Sequence, residues 1–110
     1  MTTLSYSRQL ATTNNTSTVT VLSAPSSSHV KIARNITVYN KDTASATVTL
    51  QFNANGTTYI LLKQTLATLT TLSYTDPINL SATTDSLEVL LAGAVSTSQL
   101  DVTVSYVDIS

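Results

Sequence analysis

Apolar and polar residues alternate with a period of two along most of the chain, the pattern of strands that bury one face. Leu4, Tyr6, Arg8 and Leu10 alternate with Thr3, Ser5, Ser7 and Gln9 and predict a first strand. After the polar stretch Thr12 to Thr18, Val19 and Val21 alternate with Thr18 and Thr20. Pro25 and the serines Ser26 to Ser28 break the pattern and read as a loop. From His29 to Asn40, Val30, Ile32, Ile36 and Val38 fall on one face, interrupted by Arg34. An Asn40-Lys41-Asp42-Thr43 turn then leads to Val48, Leu50 and Phe52, so these two runs read as an antiparallel hairpin.

Asn53-Ala54-Asn55-Gly56 is a strong local turn signal, because Asn-Gly takes up the positive φ angles of tight hairpins. The strand after it, Thr57 to Gln64, has apolar residues on both faces: Tyr59 and Leu61 on one, Ile60 and Leu62 on the other. That implies cover on both sides, from a second sheet or a partner. Leu66, Leu69 and Leu72 are spaced like a helical turn, but Thr65, Thr68, Thr70 and Thr71 disfavour a long helix. A turn-rich connection running into a strand at Leu72 to Tyr74 is expected. Ile78 to Leu80 follows Pro77 as a short run. Asp85-Ser86-Leu87-Glu88 resembles a helix capping box, yet Leu87, Val89 and Leu91 alternate and Gly93 ends the run, which favours a strand. Leu100, Val102, Val104 and Tyr106 give the last strand.

Seven to eight short strands at near-regular spacing predict an all-β chain, an antiparallel β-sandwich of Ig-like or jelly-roll-like type. Residues 29–110 are expected to form the sandwich. Residues 1–28 form an N-terminal hairpin or extended arm, which either packs on that domain or reaches to a neighbour.

Composition sharpens this picture. Of 110 residues, 22 are Thr and 15 Ser, while charged residues are only 10%, against about 25% in an average domain. Because Thr suits strands, most of this hydroxyl content fits on their outward faces. Five scattered basic residues and a net charge of −1 exclude a basic nucleic-acid face. No apolar run approaches the roughly 20 residues of a membrane-spanning helix, and the first residues lack a signal-peptide core. With no Cys there are no disulfides or thiolate metal sites.

Chemistry is thinly supplied. His29 is the sole histidine, and a Ser-His-Asp set drawn from so many serines has no weight without geometry. Asp76 and Asp85 lie in expected loops, but no calcium-loop motif accompanies them and they read as turn residues. Asn-x-Ser/Thr sequons occur at Asn14, Asn15, Asn35, Asn55 and Asn79; about two or three are expected by chance at this Ser and Thr content, and Asn35 lies in an expected strand, so glycosylation is the weaker reading. The five Tyr fall on different expected strands, which favours packing and interface roles over a sugar-stacking platform, although a carbohydrate-binding module is the alternative from another functional class. Arg34, in an otherwise apolar strand, is a candidate intersubunit ion-pairing residue. No catalytic, cofactor or metal residue is assigned. The candidate interface residues are Arg34, Tyr6, Leu4, Leu10, Tyr59 and Tyr39.

The segments VKIARNITVYNKDTASATVTLQF, TTYILLKQTLATLTTLSYTDPINL, DSLEVLLAGA and LDVTVSYVDI together resemble small β-sandwich virion accessory proteins of tailed bacteriophages. The shared plan is an Arg-Asn and Tyr-Asn strand, a partner strand, a "tL" connection, and a final strand ending in "vsYvdi". It covers roughly the chain from Val30 to Ile109. That family often has Gly in the connection where this chain has Ala67 and Thr68. The resemblance implies a non-enzymatic virion structural protein. Its expected role is capsid cement or decoration, bridging and stabilising capsomers, or else a tail, baseplate or fibre accessory. It also implies the major capsid protein or other virion proteins as partners, a homo-oligomer (dimer or trimer), assembly in a host cytoplasm, and no nucleic-acid or membrane partner.

Overall fold

The computed structural model describes residues 2–110. They form nine strands and no helix: β1 (Leu4–Thr13), β2 (Val19–Leu22), β3 (Val30–Tyr39), β4 (Ala46–Ala54), β5 (Thr57–Leu66), β6 (Thr71–Tyr74), β7 (Ile78–Leu80), β8 (Asp85–Leu91) and β9 (Leu100–Ile109). One sheet has the order β1-β9-β3-β6, with β7 also pairing β3, and the other the order β2-β8-β4-β5. Every pairing is antiparallel. Successive strands therefore cross between the sheets, except at the β4–β5 hairpin and the β6–β7 step. Folding a long antiparallel ribbon over itself in this way is the jelly-roll arrangement, with one strand split into β6 and β7.

The β4–β5 hairpin closes as its sequence requires. Ala54 pairs with Thr57 across a two-residue loop, with Asn55 at φ 52° and Gly56 at φ 89°, the twist that suits paired strands. In β8, Leu87, Val89 and Leu91 are buried while the residues between them are half-exposed, so strand alternation prevails over the helical spacing. Asp85, instead of capping a helix, accepts the N–H groups of Ser81 and Ala82.

Three expectations are corrected. First, β3 and β4 do not form a hairpin, for they lie in different sheets. Asn40 to Thr43 carries the chain from one sheet to the other and does not close a hairpin. Instead, buried Asn40 holds the crossing. Its side-chain amide donates to the carbonyls of Ala44 and Leu66, and its Oδ1 accepts the N–H of Asp42.

Second, Val30 and Ile32 do not share a face with Ile36 and Val38. Arg34 is an extra residue in the β3–β9 ladder, between the pairs Ala33–Tyr106 and Asn35–Ser105. Such a bulge flips the inward face. Lys31 and Ala33 point inward before it, Ile36 and Val38 after it.

Third, β5 is covered on one side only. It is the outer strand of its sheet, and Tyr59 and Ile60 are 58% and 65% exposed. Leu61 is skipped between the pairs Leu50–Leu62 and Gln51–Ile60, so Leu61 and its neighbour Leu62 both pack against the core. A bulge, not double cover, explains the apolar residues on both faces.

The core lies between the sheets and is aliphatic: Leu22, Ile36, Leu50, Leu87, Leu100 and Val104 are all 1% exposed or less. Burying such side chains contributes about 1.5–3 kcal/mol each. Val19–Leu22 and the β1 strand that precedes it are built into this sandwich, β1 on β9 and β2 on β8.

Candidate functional site

Residues directly paired across antiparallel strands share a face of the sheet. The registers of β1, β9 and β3 therefore line up an outward surface: Leu4 with Ile109 and Val30, Tyr6 with Val107 and Ile32, Leu10 with Thr103 and Thr37. None of Leu4, Tyr6, Val30, Ile32, Val107 or Ile109 belongs to the core cluster. Even so, Val107 is only 5% exposed, sealed by the side chains beside it on the outer face. Leu4, Tyr6 and Leu10 are more than half exposed. An apolar face, interrupted on its edge strand by Arg8, thus runs up to an open sheet edge.

The bulge in β3 turns Arg34 out onto this face. Its guanidinium lies 5.9 Å from the centre of the Tyr6 ring, within range of a cation–π contact. Among the described residues it has no ion-pair partner. A shallow depression of about 610 Å³ adjoins the pair, lined by Tyr6, Ser7, Arg8, Arg34, Ser105 and Tyr106.

Of the six residues singled out from the sequence, five lie on this one face. Leu4, Tyr6 and Leu10 come from β1, Arg34 from the bulge, and Tyr39 from the far end of β3 opposite Asp101. Tyr59 lies apart, on the outer strand of the other sheet. Tyr74 and Tyr106 pack partly against the core, so the five tyrosines share no stacking surface.

The acid–base candidates serve structural roles. His29 Nδ1 stands 2.8 Å from Asp108 Oδ1 and ties the start of β3 to the end of β9. Among the described residues no hydroxyl is hydrogen-bonded to the ring, so the pair lacks the nucleophile that a relay would serve. Asp76 is an exposed turn residue. No three His, Asp or Glu among the described residues gather where they could hold a metal ion.

Two groups were not legible in the sequence. Asp42 is 2% exposed, and its carboxylate accepts the N–H groups of Ser96, Thr97 and Ser98, together with the Thr97 hydroxyl. The Ser96 hydrogen bond first, with those of Thr97 and Ser98, outweighs burial and holds this carboxyl well below the usual carboxylate range. Asp42 thereby fixes the β8–β9 loop against the β3–β4 crossing. Lys31, 8% exposed, donates to the carbonyl and hydroxyl of Ser23 and lies 5.1 Å from the Tyr106 ring centre. It anchors the loop between β2 and β3. Only the shift of face at Arg34 turns this lysine inward, and alternation alone puts it outside.

No protein-family model and no curated protein sequence matches the chain. Its fold is shared by solved structures. One is from work titled "Bacillus endospore appendages form a novel family of disulfide-linked pili": 14% identity, TM-score 0.56, covering 97% of this chain and 86% of that one. PirA matches with 15% identity and TM-score 0.54 over 92% of each chain. A chain of infectious bursal disease virus, Gx strain, matches with 12% identity and TM-score 0.50 over 99% of this chain and 37% of its own length. At these identities the likeness is one of fold: the chain is an all-β sandwich of the kind found in these proteins.

Proposed function

We propose that the chain is a non-enzymatic structural subunit of an assembled particle. In its specific form, it is a virion cement or decoration protein that docks on the outside of a capsid and bridges neighbouring capsomers. The observation that carries this reading is the outward face of the β1 sheet, apolar around Val107, where Leu4, Tyr6, Val30, Ile32 and Ile109 gather, and charged only beyond that patch, at Arg8, Arg34 and Asp101. Central apolar and aromatic groups with few charges are the composition of protein interfaces. A hydroxyl-rich rim adds hydrogen bonds at less desolvation cost than ions. Neighbours of this fold from a pilus and from a virus particle are consistent with a scaffold used for assembly. The sequence has no Cys, so these residues supply no disulfide of the kind named for the pili. The major capsid protein is the proposed partner, the virion the proposed location, and a dimer or trimer the proposed state.

Particles depleted of the protein are expected to keep their shape while losing heat and osmotic stability, and to regain it on adding the purified chain back. Depleted capsids as robust as complete ones would remove the cement role. Cryo-microscopy that places the density on the tail would move the role to a tail or fibre accessory.

A further inference from the structure

We propose that β1 pairs antiparallel with β1 of a second copy of this chain, centred on Ser7, and joins two β1 sheets into one continuous sheet. This deepens the assembly reading and needs from it only that the chain self-associates.

The backbone decides which registers are open. Thr3 and Ser110 exchange both of their hydrogen bonds, Thr3 N–H to Ser110 O and Ser110 N–H to Thr3 O. Pairs of this kind alternate along an antiparallel ladder with pairs that exchange none. The β1–β9 ladder runs from Leu4 to Thr13 without a shift. Odd-numbered residues of β1 therefore bond to β9. Leu4, Tyr6, Arg8, Leu10 and Thr12 instead turn their N–H and C=O groups to the open edge. A second β1 can satisfy these only if even-numbered residues face even-numbered residues.

Side chains choose among the registers that remain. Centring on Arg8 sets two guanidinium groups directly opposite, a destabilising like-charge pair. Centring on Tyr6 leaves Leu10 facing Thr2, beyond the strand. Centring on Ser7 sets Leu4 against Leu10 of the second copy and Tyr6 against its Arg8, and the two-fold axis repeats both contacts. Leu4, Tyr6 and Leu10 gain cover, each Arg8 lies across from the Tyr6 ring that Arg34 also approaches, with the second Arg8 a diagonal and not a direct neighbour, and about eight backbone hydrogen bonds form across the seam. The strand is complementary to itself about Ser7, so the occupant that it fits best is its own copy.

The geometry gives a direct test. Ser7 is exposed and faces Ser7 of the second copy as a non-hydrogen-bonded pair, where the Cα atoms stand about 4.5 Å apart, within disulfide range. Ser7→Cys introduces the chain's one thiol. With diamide to take up the two electrons and two protons, this variant is expected to form covalent dimers. It should do so at least about tenfold faster than Ser5→Cys, whose equivalent positions in this register lie about 13 Å apart. Equal rates, or faster cross-linking of Arg8→Cys, would overturn the register. Arg8→Pro serves as the backbone test: it deletes one edge-facing N–H and leaves the β9 ladder intact. It should sediment as a folded monomer under conditions where the unaltered chain is a dimer. An unaltered chain that is monomeric at every concentration reached overturns the pairing itself. These measurements use purified protein, so they are independent of whether particles need the chain.

Discussion

β1 and β5 are both ten residues long, both border a sheet on one side only, and both display large apolar side chains to solvent. They differ in continuity. The β1 ladder is unbroken, and its edge-facing groups recur at every second residue. In β5 the bulge at Leu61 interrupts that recurrence halfway along, and Lys63 follows it. A straight partner strand can match β1 throughout but only half of β5. Bulges and edge lysines are known devices against unwanted strand addition. Hydrophobicity does not separate the two edges, since Ile60 on β5 is as exposed as Leu10 on β1; the unbroken phase of the backbone groups does.

The largest expected effect tests whether the two edges hang on one cooperative body. Asn40→Ala leaves three carbonyls and an N–H without their side-chain partner, and should cost about 2–3 kcal/mol. Urea unfolding should remain a single transition by far-ultraviolet dichroism and tyrosine fluorescence. Separate transitions would mean that the two sides fold independently. Acid acts on the adjoining Asp42. Its folded carboxyl is held below its unfolded value, so its contribution is complete above about pH 4 and falls away as the pH drops through the folded value. Asp42→Asn should flatten the acid limb of a thermal-melt series recorded between pH 4 and 2, and an unchanged limb would assign that limb to other carboxylates.

Deleting Leu61 attacks the difference itself. The loss of one partly packed leucine should cost about 1–2 kcal/mol, while the ladder on either side can close up in its present register. The regular edge so created is expected to add a second mode of association, visible by light scattering as species larger than a dimer. A deletion variant no more associative than the parent would show that the bulge is not what protects β5.

The smallest effect lies in the connection that follows β5. Leu69 sits at φ 59° with its side chain 68% exposed, and its N–H donates to Asn40 O. Leu69→Gly relieves a conformation unfavourable to a side chain and should stabilise by about 0.5–1 kcal/mol in a thermal melt. Destabilisation would mean that Leu69 contributes packing there that outweighs its strain.

Alternation marked most of the strands, because a period of two survives any arrangement of sheets. β5, with apolar residues on both faces, and the short β6 and β7 were marked by turn signals and brief apolar runs, and nine strands stand where seven to eight were expected. Alternation could not assign faces beyond a bulge. Yet both bulges left traces in the sequence: Arg34 as a charge in an apolar run, and Tyr59 to Leu62 as an apolar stretch with no polar face. Each was legible as an irregularity, and its cause was not. The β3–β4 crossing was hidden for another reason. Whether Asn40-Lys41-Asp42-Thr43 closes a hairpin or carries the chain to the other sheet depends on partners at Leu66 and at Ser96 to Ser98, far away in sequence. Of the candidate interface residues, Leu4, Tyr6 and Leu10 were placed on one face of β1 by alternation, but that this face turns outward and not to the core is set by the sheet. Their meeting with Arg34 is a tertiary event, made by the bulge.

The pairing of the first strand with the last also orders events in time. The β4–β5 hairpin closes a two-residue loop, whereas the β1–β9 ladder must bring together opposite ends of the chain, and the entropy of closing a loop rises with its length. Loop closure therefore favours the β4–β5 hairpin early and leaves the β1–β9 ladder, and with it the phase of the β1 edge, as a late step to be expected. In a chain whose β1 has not yet docked, the proposed seam would be incomplete, so pairing through it would select molecules that have finished folding.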